Sequence, residues 1–148
     1  MKIIPAGLTQ IDDLLPLFDA YRQFYGMTSD LVRAKAFLEA RFNNQETTIF
    51  MAYENGQSLG FLTLYPTFSS VSMKGDFLLN DLFVHADARG RGIGAALLKK
   101  AQEFALQTNA KGLLLETALD NPAQFLYEKM GFKKTIEGVY HYYWKSPV

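Results

Sequence analysis

The sequence predicts an α/β fold: a mixed, largely antiparallel central sheet of six to seven strands flanked by about four helices. Three observations carry that expectation. Residues 47–53 and 58–65 are β-branched and aromatic and flank Asn55-Gly56, the pattern of an antiparallel hairpin. Residues 77–85 form an apolar strand pattern that runs into Arg89-Gly90-Arg91-Gly92-Ile93-Gly94 and then into a helical stripe. A second buried-looking strand, 112–118, follows that helix, and a crossover of this kind joins parallel strands.

Taken in order, Ile3-Ile4 opens with a short strand. Thr9-Gln10-Ile11-Asp12 has the form of a capping box, and Ile11, Leu14, Leu15, Phe18 and Tyr25 recur at helical spacing until Gly26. Pro16 belongs in a first turn or at a kink, which places the start of the regular helix near Asp13. Ser29 or Asp30 caps a second helix with Leu31, Ala34, Leu38, Arg41 and Phe42 on one stripe. Pro66 is expected to end the hairpin's second strand, leaving 68–75 as a loop or frayed edge. After the glycine turn, Ile93, Ala96, Leu97, Ala101, Phe104 and Ala105 share a helix face. Asn121 caps a last helix with Pro122 in its first position and Gly131 at its end. Phe132 onward and 140–144 are expected to close the sheet.

With 148 residues and no repeat or linker, the chain reads as one domain, 1–148. Lys+Arg equals Asp+Glu at 15 each, which excludes a broad basic footprint for nucleic acid, so any anion binding must be local. The absence of cysteine removes disulfides, thiolate nucleophiles and cysteine metal sites, and His85 and His141 alone are too few for a histidine cage, so no metal is expected. The N-terminus has no signal-peptide core and no apolar run approaches the roughly 20 residues that span a bilayer, which points away from membranes and to the cytoplasm.

The glycine turn carries the chemistry. A strand delivers the chain to glycines that let a phosphate approach the backbone, and the first N–H groups of the helix have no intrahelical partner. Arg89 and Arg91 frame this anion site. Gly90-Arg-Gly92-Ile-Gly-Ala95 also satisfies a dinucleotide fingerprint, with Glu116 placed where a ribose-binding acid could sit. Against that reading stand the late position of the loop, the five residues between Val84 and Gly90, and the antiparallel hairpin upstream. A purely structural tight turn is the third alternative.

Arg89-x-x-Gly92-x-Gly94, after a strand and before a long helix, resembles the acyl-CoA pyrophosphate loop of the GNAT family of N-acetyltransferases. Asn121-Pro-Ala-Gln-Phe-Leu-Tyr127-Glu-Lys-Met-Gly131-Phe132 is similar to that family's following helix and Gly-Phe exit, and together the two cover most of 77–133. The resemblance implies the GNAT fold, acetyl-CoA as cofactor, and a diphosphate held by Arg89, Gly90, Arg91, Gly92, Ile93, Gly94 and Ala95. Leu82, Phe83 and Val84 would lend backbone groups to the pantetheine amides, since a splayed strand edge offers unpaired donors and acceptors. Asn121 would hydrogen-bond the pantetheine arm, although helix capping alone accounts for it.

An amine of pKa about 10.4 must lose a proton before it attacks a thioester, and a thiolate whose thiol has a pKa near 8.5 benefits from a proton donor. By resemblance the donor is Tyr127; a core tyrosine on the Leu126–Met130 stripe is the plainer alternative. Polyamine acetyltransferases of the family often carry glutamate where this chain has Asn80, so the base is left to Asp81 or Glu116 acting through water, or to solvent. Tyr21 and Tyr25, Tyr65 and Phe68, and His141 belong to three regions that flank the acceptor cleft in this fold. There aromatic faces would hold an ammonium group, or else pack the sheet and a dimer seam. The stretches Tyr21-Arg-Gln-Phe-Tyr25 and Leu64-Tyr-Pro-Thr-Phe-Ser-Ser70 further resemble the diamine and yeast Hpa-type acetyltransferases. That implies a small amine, polyamine, amino acid or lysine side chain as acceptor, and a homodimer. A non-catalytic acyl-CoA-binding regulatory module would keep the same loop.

Overall fold

The computed structural model describes residues 1–135 and 140–147. They fall into two units, Met1–Glu116 and Thr117–Val148. In the first, β1 (Lys2–Pro5), β2 (Thr48–Glu54), β3 (Gln57–Ser69) and β4 (Lys74–Val84) pair antiparallel in sequence order. A short β5 (Leu113–Leu114) adds parallel to β4, giving a five-stranded sheet β1-β2-β3-β4-β5. Helices α1 (Ile11–Phe24) and α2 (Leu31–Asn43) precede β2, and α3 (Ile93–Gln107) is the crossover. The mixed, mostly antiparallel sheet flanked by helices is the fold class the sequence predicts.

Period-two alternation separates the two faces of the sheet. Ile49, Met51 and Phe61 pack with Ile11, Leu14, Leu17 and Phe18 of α1 and with Ala34 and Leu38 of α2. On the other face Phe104 of α3 meets Phe50 and Phe77, with ring centroids 5.6 and 5.3 Å apart. Each large side chain buried in this way contributes about 1.5–3 kcal/mol. The face under α1 and α2 is the one that also carries buried polar groups, Thr63 and Asp81.

Tertiary context overrides several local expectations. α1 starts at Ile11 rather than Asp13, because a 3-10 turn at Leu8–Gln10 leads into it and the Gly7 N–H donates to Gln10 Oε1 at 2.8 Å. Pro16 lies inside the second turn, where the bond it forfeits is to the carbonyl of Asp12, whose side chain is exposed. Nor does Pro66 end β3. β2 begins at Thr48, opposite Leu64, so beyond that point β4 is the only described sheet neighbour of β3, and a proline breaks no second ladder there. The stretch 68–75, expected as a loop or frayed edge, holds the end of β3, a turn at 70–73, and the start of β4.

The register then shifts: Thr63 faces Asp81 while Leu64 faces Leu79, which leaves Asn80 as an unpaired bulge residue in β4. β5 pairs only with Phe77 and Leu78, before the bulge, so the expected strand 112–118 shrinks to two residues. In the second unit, α4 (Ala123–Lys129) is capped as expected, with the Ala123 N–H donating to Asn121 Oδ1 at 3.0 Å. Gly131 ends it with φ +93°, and the Phe132 N–H returns to Tyr127 O at 3.0 Å. The expected closing strands fall partly on 136–139, outside the described residues. The described flanks carry no strand, and Tyr140, Tyr142 and Trp144 are 88, 91 and 81% exposed. No described helix is long and apolar enough to cross a membrane.

Candidate active site

The glycine turn is built from its anchors outward. His85 Nδ1 accepts the Asp87 N–H at 3.1 Å and so caps a 3-10 turn at Ala86–Ala88, and Ala88 is buried. Arg89 folds back over β4: its Nε donates to Val84 O at 3.1 Å and its guanidinium lies 5.5 Å from the Phe83 ring centroid. Gly90 and Gly92 have φ of +77° and +78°, a region that costs a side chain dearly, while a Cβ at either would meet nothing within 4 Å. Their role is therefore conformational, and the space above them is open.

Ile93, buried, pins the start of α3 to the core. The first intrahelical bond runs from the Ala96 N–H to Gly92 O at 3.1 Å, and no side chain caps Gly92. The N–H groups of Ile93, Gly94 and Ala95 thus point out of the helix start without an intrahelical acceptor. Arg91 is tied to Glu54 at the end of β2, and this guanidinium holds the Glu54 carboxyl below its ordinary range. Alongside runs an edge of β4: beyond Leu78 it has no β5 partner, and no described strand bonds the backbone groups of Leu82, Phe83 and Val84 that face away from β3, although Arg89 Nε donates to the Val84 carbonyl.

A second polar centre lies at the bulge. Asp81 is 5% exposed, and its Oδ1 accepts from Asn80 Nδ2 at 2.9 Å. The Tyr21 hydroxyl donates to the bulged carbonyl of Asn80 at 3.4 Å. The Tyr21 ring stands edge-on to Tyr25, Phe61 and Phe83, with centroids 5.0, 5.8 and 6.0 Å away. Burial pushes the Asp81 carboxyl above the ordinary range, against the opposing pull of its polar neighbours. Burial and the nearby Asp81 charge push the Tyr21 phenol up as well, and for the same reasons the Tyr65 phenol rises to about 12. The buried Thr63 hydroxyl, across the ladder from Asp81, is one of the polar neighbours that oppose the rise of the Asp81 pKa.

Among the expected site residues, Tyr21, Tyr25, Tyr65 and Asp81 gather around the bulge. Phe68 stands exposed near the end of β3, and Glu116 is an exposed residue two positions beyond β5 rather than the end of a strand. Asn121, Tyr127 and His141 belong to the second unit. Asn121 caps α4, Tyr127 is half-buried with its ring 5.9 Å from that of Phe132, and His141 is exposed. Sequence reasoning missed Thr63, Glu54 and Asp19. Thr63 had a legible signal, the inward phase it shares with Phe61 and Tyr65, whereas Asp19 is bonded by Ser29 and Asp30 only once the turn between α1 and α2 folds back, and the partner of Glu54 is distant in sequence.

An uncapped helix start beside an unpaired strand edge is a scaffold for an anionic ligand with an extended, amide-bearing arm. Residues 12–132 match the sequence profile of the acetyltransferase (GNAT) family. The chain is 48% identical over 143 residues to the uncharacterized N-acetyltransferase YhfO of Bacillus subtilis, covering 96% of this chain and 95% of that protein. It is 37% identical to a probable acetyltransferase of Haemophilus influenzae over 90% of each chain. A crystal structure of a probable acetyltransferase superposes with a TM-score of 0.94 at 38% identity, covering 99% of each chain. The chain belongs to the GNAT family, and its activity is acetyl-CoA-dependent acetyl transfer of the GNAT type.

Proposed function

We propose that the chain is an N-acetyltransferase that moves acetyl from acetyl-CoA to a primary amine by direct attack in a ternary complex. The observation that carries this reading is the start of α3 at Gly92, whose N–H groups are left without a cap beside the unpaired edge of β4. In this reading Arg89 and the backbone of 90–95 hold the diphosphate, Leu82, Phe83 and Val84 bond the pantetheine amides, and Asn121 adds a side-chain contact. The ligand supplies an activated acetyl group; the protein supplies position and proton management.

Tyr127 is assigned as proton donor to the departing sulfur. For the amine's proton, Asp81 is preferred over Glu116, because it is the carboxylate that sits buried among polar partners at the bulge. Tyr21, Tyr25, Tyr65, Phe68 and His141 are assigned to the acceptor. The residues 21–25 and 64–70 support a place near the diamine and Hpa-type subgroup, and the profile match across both units supports one domain. A homodimer in the cytoplasm completes the reading.

The test is a thiol-release assay with acetyl-CoA over pooled polyamines, amino acids and basic peptides, with the product identified by mass spectrometry. Turnover of an amine is the expected result. Binding of CoA without turnover of any acceptor would favour a regulatory module, and thermal stabilisation by NAD(P) but not CoA would favour a dinucleotide protein. Tyr127→Phe is expected to lower kcat by about 10²-fold, within the usual range for a general acid, with little change in CoA affinity. An undiminished kcat would remove Tyr127 from the mechanism.

A further inference from the structure

The sheet face that carries Asp81 also carries a charge of the opposite sign. A cavity of about 500 Å³ is lined by Phe37, Arg41, Gln45 and Glu46 around the end of α2 and by Tyr65 and Pro66 of β3. Arg41 lies on the apolar stripe of α2, where packing alone would favour an aliphatic side chain. Its guanidinium is laid over the Phe37 ring at 4.6 Å, and the side chain is only 27% exposed. Among the described residues Arg41 Nε is buried with no hydrogen bond, and Glu46 Oε1 forms an ion pair with it at 3.5 Å. With its Nε hydrogen bond unmade and a half-exposed carboxylate as its ion-pair partner, the guanidinium on the cavity wall is open to a ligand's carboxylate in place of Glu46.

Tyr65 connects this cavity to the bulge. It projects from the same face of β3 as Thr63, whose ladder partner is Asp81, and it forms part of the cavity wall beside Arg41. Its phenol feels both charges, since Asp81 raises its proton affinity and Arg41 lowers it. Tyr65 therefore stands between a cation on the cavity wall and a buried carboxylate.

We propose that the acceptor is an amine that also bears a carboxylate, with the carboxylate taken by Arg41 and the amine directed along Tyr65 toward Asp81 and Tyr21. Arg41 is then the residue that determines acceptor specificity. A polyamine would place a second ammonium against the guanidinium, whereas an amino-acid-like zwitterion matches both ends. The inference rests on the N-acetyltransferase reading and narrows it.

Matched pairs of amines test it, each differing by one carboxylate: lysine against 1,5-diaminopentane, and 6-aminohexanoate against pentylamine, at saturating acetyl-CoA. The carboxylated member is expected to have at least about tenfold higher kcat/KM, equivalent to about 1.4 kcal/mol. Arg41→Gln should collapse that preference to within about twofold through KM of the carboxylated amine, and Arg41→Lys should restore part of it. Equal or better use of the diamine by the wild type, or an equal loss on both members in Arg41→Gln, would overturn the assignment. Should Arg41→Gln not fold, the wild-type pairs and Arg41→Lys still decide. A thermal-shift series with the same compounds and CoA separates the two readings. Stabilisation by 6-aminohexanoate and not by pentylamine, with no turnover, would uphold the carboxylate site while the transferase reading fails; stabilisation by neither overturns the site.

Discussion

Helices α2 and α3 both begin at a turn on the surface of the first unit, and they treat their exposed N–H groups in opposite ways. At the start of α2, Asp30 Oδ1 accepts the Arg33 N–H at 3.0 Å, and Asp19 Oδ1 accepts the Asp30 N–H at 3.0 Å. Asp19 is itself braced by the Ser29 hydroxyl at 2.6 Å and by Gln23 Nε2 at 2.8 Å. Two carboxylates thus occupy the positive end of that helix, and a further anion would be repelled. At the start of α3 the capping position is a glycine, no side chain reaches back, and Arg89 and Arg91 stand nearby. The same helix physics is used for folding in one place and left without a side-chain cap in the other. What distinguishes them is which residue occupies the cap.

Closing the open helix start should have the largest effect. Gly92→Asp adds bulk and negative charge at φ +78°, and is expected to weaken CoA binding by at least about 10²-fold, roughly 2.7 kcal/mol, by calorimetry. Affinity equal to wild type would place the diphosphate elsewhere. Opening the closed start comes next. Asp19→Ala removes three hydrogen bonds to a buried carboxylate and should cost about 2–3 kcal/mol in a urea titration, with CoA affinity retained in the folded protein.

That loss has a defined pH dependence. The Ser29 hydroxyl and the Asp30 N–H hold the Asp19 carboxyl below its ordinary range, so its native pKa lies under the unfolded value of about 3.9. The stabilisation it brings is whole above that value and disappears as pH falls through the native pKa. Wild type and Asp19→Ala should therefore converge in stability on acidification below about pH 4; a gap that stayed constant would mean the charge of Asp19 is irrelevant. Asp30→Ala is the smallest change, about 1 kcal/mol for a lost cap, with the KM for acetyl-CoA unaltered. A raised KM in that variant would show that the two helix starts are not independent.

Features that depend on neighbours in sequence were legible. Gly92 before an apolar stripe, Asn121 before Pro122, Asp30 before Leu31, and Asn55-Gly56 between two strands each state a local geometry, and each is found where the residues place it. The free edge of β4 at 82–84 is expected from the resemblance to the GNAT family alone, since the crossover by itself predicts a parallel partner along 77–85. Features that depend on a partner far along the chain were not. Pro66 reads as a stop, and the start of β2 no earlier than Thr48, opposite Leu64, makes it harmless. Residues 112–118 read as a full strand, and only the bulge at Asn80 limits pairing to Leu113 and Leu114. Asp19 looks like a solvent-facing helix residue until Ser29 and Asp30 close over it.

By itself, then, the sequence determined the class of fold, the glycine start of α3, and the set of titratable side chains from which a mechanism can be proposed, because turns, caps and periodicity act over a few residues. The tertiary structure decided which of those side chains share an environment. It buried Asp81 opposite Thr63, set Tyr65 between that carboxylate and Arg41, and tied Arg91 to Glu54. Such juxtapositions arise from strand register and from helices packed across the sheet, and they join residues that no local pattern links.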